Sequence, residues 1–97
     1  MARYYKTDGT VKDVKPQNGK AFEYKELREF VGGMVEIVPL PSGKSIIVNE
    51  EGKLMGLPKN EMASMVWQAE YPIEQYPNNN DELIAGNALV ASEDELN

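Results

Sequence analysis

The chain has 97 residues, 41% of them hydrophobic, a net charge of −6, and neither Cys nor His; this length supports one hydrophobic core rather than two independent ones. Without Cys and His, a disulfide framework, a thiolate nucleophile, the commonest general base and nearly every zinc site are excluded, which fits a reducing, cytoplasmic setting. Met1-Ala2-Arg3-Tyr4-Tyr5-Lys6 carries charge with no apolar run behind it, unlike a signal peptide, and no apolar stretch approaches the roughly 20 residues of a membrane span.

Tyr4 to Thr7 and Thr10 to Lys15 flank Asp8-Gly9, a pair whose glycine tolerates the positive φ of a tight hairpin, so a first hairpin is expected here. Pro16-Gln17-Asn18-Gly19-Lys20 has loop composition. Tyr24, Leu27, Phe30 and Val31 then fall on one face of a helix that Gly32-Gly33 stops, with Glu23 as a mediocre N-cap and Phe22 placed to staple onto Leu27. Met34 to Leu40 and Lys44 to Asn49 are rich in β-branched residues around Pro41-Ser42-Gly43, which predicts a central hairpin.

Glu50-Glu51-Gly52 makes the next turn, and Asn60 is a strong N-cap for a second helix with Met62, Met65, Val66 and Ala69 on its apolar stripe. Residues 71–81 read as an irregular polar loop, and Leu83 to Val90 as a late strand in which Gly86 marks a bulge or a close backbone approach. Together these elements specify an α+β domain over residues 1–92: a small, mostly antiparallel sheet with two helices packed on one face. Residues 93–97 are expected to be a frayed acidic tail. One core is expected from Leu27, Phe30, Val31, Ile37, Ile46, Val48, Met62, Met65, Val66, Ile84 and Leu89.

Charge is unevenly placed. Residues 1–59 hold all ten basic side chains against eight acidic ones, whereas residues 60–97 hold eight acidic side chains and no basic one. Such a field raises solubility, repels nucleic acid and anionic membranes and attracts basic protein surfaces. Lys12, Lys15, Lys20, Lys25 and Arg28 make the first third mildly basic, but a pI near 4.6 disfavours direct nucleic-acid binding.

The motifs that suggest chemistry are weak. Gly43-Lys44-Ser45 resembles the end of a phosphate-binding loop, yet Val38 stands where that loop needs a Gly, and Ile46-Ile47-Val48 follows as strand rather than helix. No Ser lies in a nucleophile elbow. Asn49-Glu50-Glu51-Gly52 groups oxygen ligands for a hard cation without the spacing of a calcium loop; the favoured reading is that the Asn49 side chain caps a tight turn while Glu50 and Glu51 keep an edge soluble. Trp67 lies off the Met62–Met65–Val66 stripe, and it serves either as a half-exposed interface anchor or as cover for the edge of a small core.

The sequence resembles the bacterial and phage family called domain of unknown function 3846. The resemblance is carried by Thr7-Asp8-Gly9-Thr10-Val11, by Leu27 to Val31-Gly32-Gly33 with Glu36-Ile37-Val38 behind it, by Val48-Asn49-Glu50-Glu51-Gly52-Lys53, by Leu57-Pro58-Lys59-Asn60 and by Ile84-Ala85-Gly86-Asn87-Ala88-Leu89. It implies a small accessory protein of a bacterium, a phage or a mobile element and brings no catalytic residues with it. The expected function is therefore non-catalytic protein binding, with no cofactor and no metal, through Trp67, Glu70, Glu74, Glu82, Asn49, Glu50 and Glu51. The expected partner is a protein, basic or itself nucleic-acid-binding. The alternatives are an acidic inhibitor that mimics nucleic acid in front of a host defence protein, and a carboxylate enzyme that uses Glu50 and Glu51 with a divalent metal.

Overall fold

The β-branched run Ile46-Ile47-Val48 favours extended backbone and is fully or nearly fully buried, which requires apolar cover on both sides of its strand. The computed structural model describes residues 2–71 and 84–96. Its strands are β1 (Ala2–Tyr5), β2 (Val11–Val14), β3 (Val35–Pro39), β4 (Lys44–Asn49) and β5 (Ala88–Ser92). They form one five-stranded sheet in the order β2-β1-β5-β4-β3, and each pairing is antiparallel. β5 joins two separate hairpins, because Val90 stands opposite Arg3 on one side and Ile46 on the other.

Turn chemistry places the hairpins where the sequence suggests. In the first, Gly9 N donates to Lys6 O at 3.0 Å and Lys6 N to Thr10 O at 2.9 Å, while Asp8 Oδ1 accepts from Thr10 N at 2.8 Å. In the second, Leu40 N donates to Lys44 O at 2.8 Å and Gly43 N to Leu40 O at 3.0 Å. Helix α1 (Tyr24–Val31) starts after Glu23, whose N–H donates to Glu26 Oε1 at 3.1 Å, and it ends where Gly32 N reaches Arg28 O at 2.8 Å. Phe22 and Leu27 are buried in the same apolar cluster, as the staple requires.

Side chains alternate across a strand, so neighbouring residues of β4 and β5 serve different layers. Ile47, Leu89, Ala91 and Ala2 pack with Phe22, Leu27 and Val31 of the α1 layer. Ile46, Val48, Val90, Ala88 and Tyr5 pack with Ala63 and, in part, Val66 and Trp67 of helix α2 (Glu61–Glu70). The α+β sheet with two helices against it is as expected, but the helices cover opposite faces and the core is two clusters, not one. The reason is that strands apolar on both sides need a layer on each face.

Three expected core residues are exposed. Met62 and Met65 are 41% and 61% exposed and Ile37 is 49% exposed. The rotation of α2 is fixed by polar groups rather than by its methionines. Asn60 is completely buried; its Oδ1 accepts from Ala63 N, and its Nδ2 donates to Tyr5 O at 2.8 Å and Gly86 O at 3.0 Å. Ser64 Oγ donates to Asn60 O at 2.7 Å and accepts from Ile84 N at 2.9 Å. These bonds turn Ala63, Ser64 and Trp67 inward and leave the Met62–Met65 stripe outside. Ile37 lies on the edge strand, at the margin of what the eight-residue α1 covers.

The tail expected to fray also differs. Glu93–Glu95 form a 3₁₀ turn, Phe22 N donates to Glu95 O at 2.6 Å, and Leu96 packs against the α1 layer. Its anchor is backbone pairing to Phe22, which a charge count along the sequence does not reveal.

Two substitutions separate this arrangement from a methionine-lined core. Leu27→Ala should lower stability by about 2–5 kcal/mol through the lost burial and residual cavity, whereas Met65→Ala should stay within about 0.5 kcal/mol, both read from urea midpoints. Asn60→Ala should cost about 2–4 kcal/mol, because the α2 cap is lost and the carbonyls of Tyr5 and Gly86 lose their buried donor. Amide exchange in that variant should accelerate first at Ala63, Ser64 and Ile84.

Candidate functional site

The α2 face of the sheet carries a cleft of about 390 Å³. β3 contributes Glu36 and Val38, β4 Val48 and Asn49, the turn after β4 Glu50, Lys53 and Leu54, α2 Trp67, and the segment before β5 Ile84 and Ala85. Glu36 pairs with Val48, and Glu50 N bonds Met34 O at 2.8 Å, so Glu36 and Glu50 occupy diagonal positions on one face. The cleft thus sets two carboxylates and the Lys53 ammonium around an apolar wall of Val38, Val48, Ile84 and Trp67.

The shape of this cleft depends on a close backbone approach. A Cβ on Gly52 would lie 2.8 Å from Ala85 O, and one on Gly86 would lie 2.8 Å from Leu57 Cδ1. Gly86 N donates to Pro58 O at 2.7 Å, and Lys59 bridges to Ala85. The turn after β4 and the segment before β5 therefore lie directly against one another, and Gly86 makes the close approach expected of it.

Trp67 is the single Trp of the chain, and it covers part of the α2-side core. Its ring lies 4.5 Å from that of Tyr71, tilted by 37°, and the Tyr71 hydroxyl donates to Pro39 O at 2.8 Å. Among the described residues, no hydrogen-bond acceptor meets the indole Nε1, which is buried from solvent. A buried donor left unpaired costs about 1–3 kcal/mol.

The other residues singled out from the sequence are distributed differently. Asn49 lines the cleft, but its polar atoms turn toward α1, where Nδ2 donates to Val31 O at 3.2 Å and Oδ1 accepts from Glu51 N at 2.8 Å. It joins β4 to the end of α1 and caps the turn, so its polar atoms are already engaged. Glu51 is exposed and does not line the cleft. The Glu70 carboxylate accepts from Ser42 N at 3.0 Å and from Ser42 Oγ at 2.8 Å, tying α2 to the β3–β4 turn. Glu74 and Glu82 lie outside the described residues. Among the described residues, no three acidic side chains converge in a way that would hold a metal ion, and no helix is long and apolar enough to cross a membrane. Glu36, the second carboxylate of the cleft, is legible in the sequence only through its spacing from Val38, which puts both side chains on one face of a strand.

A second cavity, of about 610 Å³, lies on the same face and is lined by Arg3, Asp13, Lys44, Glu70, Ser92 and Glu95 among others. Several of its groups are engaged within the chain: Arg3 with Asp13 at 3.7 Å and Glu70 with Ser42. Burial opposes charge on Glu95, but donation from Ser92 N at 3.1 Å and Ser92 Oγ at 2.9 Å outweighs it and holds the carboxyl below its ordinary range. A carboxyl depressed in the folded state contributes stability above its unfolded value of about 4.3, and that contribution is lost as pH falls through the lower folded value. Acidification below about pH 4.3 should therefore loosen the Glu93–Glu95 turn, and Glu95→Gln should remove that part of the pH dependence. Amide NMR of Phe22 and Leu96 across the titration checks it.

Neither a curated protein nor a solved structure matches the chain. A family model described as domain of unknown function (DUF3846) matches residues 5–97. That span contains the braces just described: Gly52 against Ala85, Asn60 bonded to Gly86, and Asn87 Oδ1 accepting from Thr7 N at 3.0 Å. The chain belongs to the DUF3846 family.

Proposed function

We propose that this chain is a non-catalytic accessory domain that binds a basic protein segment in the cleft between α2 and the β3–β4 hairpin. The observation that carries this is the combination in one cleft of two carboxylates, Glu36 and Glu50, with an apolar wall that includes Val38, Val48, Ile84 and Trp67. A polypeptide segment offers both complements at once: a Lys or Arg side chain for the carboxylates and apolar side chains for the wall. A bare metal ion would meet the carboxylates and leave the apolar wall uncovered. The net charge of −6 supports a basic partner through steering of the encounter, and the absence of Cys supports a reducing compartment such as the cytoplasm of a bacterium, with or without a phage or mobile element.

The roles of the cleft residues separate kinetically. Glu36→Gln with Glu50→Gln should slow association with a captured partner, most at low salt, because peripheral charges act on the encounter. Trp67→Phe replaces the indole by a smaller ring and so shrinks the apolar wall; the lost contact, about 0.5–1.5 kcal/mol, should speed dissociation roughly twofold to tenfold with little salt dependence. Surface-plasmon kinetics at two ionic strengths reads both. A partner whose association ignores salt and both carboxylate substitutions overturns the proposal.

A further inference from the structure

The outer edge of β3 is unpaired among the described residues. Met34 O accepts from Glu50 N, and Leu40 N donates to Lys44 O, each at 2.8 Å. In an antiparallel ladder, residues alternate between hydrogen-bonded and non-hydrogen-bonded pairs. Even-numbered residues from Met34 to Leu40 therefore turn their backbone groups toward β4, and Val35, Ile37 and Pro39 turn theirs outward. Pro39 has no N–H, and its carbonyl accepts from the Tyr71 hydroxyl. What remains is the pair Val35 and Ile37, two donors and two acceptors at the spacing of a strand, beside the half-exposed side chains of Met34 and Ile37.

The opposite edge of the sheet is defended. Lys6 N donates to Thr10 O, so on β2 the outward residues are Val11 and Asp13, with Lys12 between them and Lys15 next along the chain. Charged side chains on an edge strand discourage pairing. On β3 the single charge is Glu36, which faces the cleft.

We infer that the β3 edge accepts an extended segment of a partner protein as a sixth strand, with a Lys or Arg of that segment opposite Glu36. The inference rests on the reading of this chain as a protein-binding domain and gives that reading a geometry. A second copy of the chain is a poor occupant. An antiparallel β3–β3 pairing that uses both Val35 and Ile37 must centre on Glu36, which sets like charges opposite each other where cross-strand side chains are closest. Centring on Ile37 instead opposes Val35 with Pro39, which has neither a donor nor a vacant acceptor on that side. A segment with a basic residue between two β-branched residues meets all three positions: the basic side chain joins Glu36 on the cleft face, and the apolar ones join Val35 and Ile37 on the other.

The probe is the capped peptide Thr-Ile-Lys-Val-Thr, with a counterpart carrying Glu in place of Lys and another N-methylated at Ile and Val. Titration into the full chain is followed by amide NMR at Val35 and Ile37 and by the fluorescence of Trp67. Saturable shifts at the Val35 and Ile37 amides, a roughly twofold to fivefold preference for Lys over Glu, loss of binding on N-methylation, and reversal of the preference in Glu36→Lys are the expected results. Sedimentation at the same concentration should show a monomer. Binding that moves Trp67 alone and tolerates N-methylation overturns the edge inference and leaves the cleft standing. No saturable shift at Val35 and Ile37, or a dimer that protects their amides, overturns it as well.

Discussion

A completely buried amide side chain at Asn60 holds together parts of the chain that are far apart in sequence. Its oxygen caps α2, its nitrogen reaches Tyr5 O in β1 and Gly86 O before β5, and its backbone N–H donates to Ile84 O at 2.7 Å. A group buried this deeply is tolerable because both amide hydrogens donate and the amide oxygen accepts. Its position then dictates the rest of the α2 side. Ser64 falls one turn later and takes Ile84 N, Trp67 falls one turn after that and covers the core, and Tyr71 reaches Pro39.

The two-sided burial of β4 and β5 follows from their place in the sheet. β5 lies between β1 and β4, so it closes the ladder between two hairpins that each form locally. Its Leu89 and Val90 face different layers, and neither helix alone could cover both. On the α1 side, the Tyr4 and Phe22 rings each pack edgewise on Phe30, and the Tyr4 hydroxyl donates to Phe30 O at 2.8 Å. On the α2 side the packing is less complete, and the cleft is what remains between the helix, the β3–β4 hairpin and the Gly52–Ala85 contact.

The candidate site is thus a by-product of braces that are themselves structural. Asn49 and Gly52 belong to one turn, but Asn49 is directed at α1 and Gly52 at Ala85, so of the four residues from Asn49 to Gly52 it is Glu50 whose carboxylate is left for the cleft. Glu70, eligible by charge for an acidic surface, is instead occupied by the Ser42 turn. Acidic character along a sequence says how many carboxylates exist; hydrogen bonding decides which ones remain to meet a partner.

The sequence alone determined the local pieces. Asp8-Gly9, Gly32-Gly33 and Pro41-Ser42-Gly43 set the turns and the stop of α1, Asn60 capped α2, and β-branched runs set the strands, because these preferences act within a few residues. It also determined that the chain belongs with an α+β family, through punctuation such as Asn49 to Gly52 and Gly86-Asn87. Tertiary structure alone decided that the helices lie on opposite faces, that Met62 and Met65 point to solvent while Trp67 turns inward, and that Glu36 joins Glu50 across a strand pair. A helical stripe such as Met62–Met65–Val66 fixes periodicity but not which side is buried when a polar hub overrides it. The rotation of α2 was settled by bonds from Asn60 and Ser64 to residues twenty or more positions away, and no local pattern encodes contacts at that range.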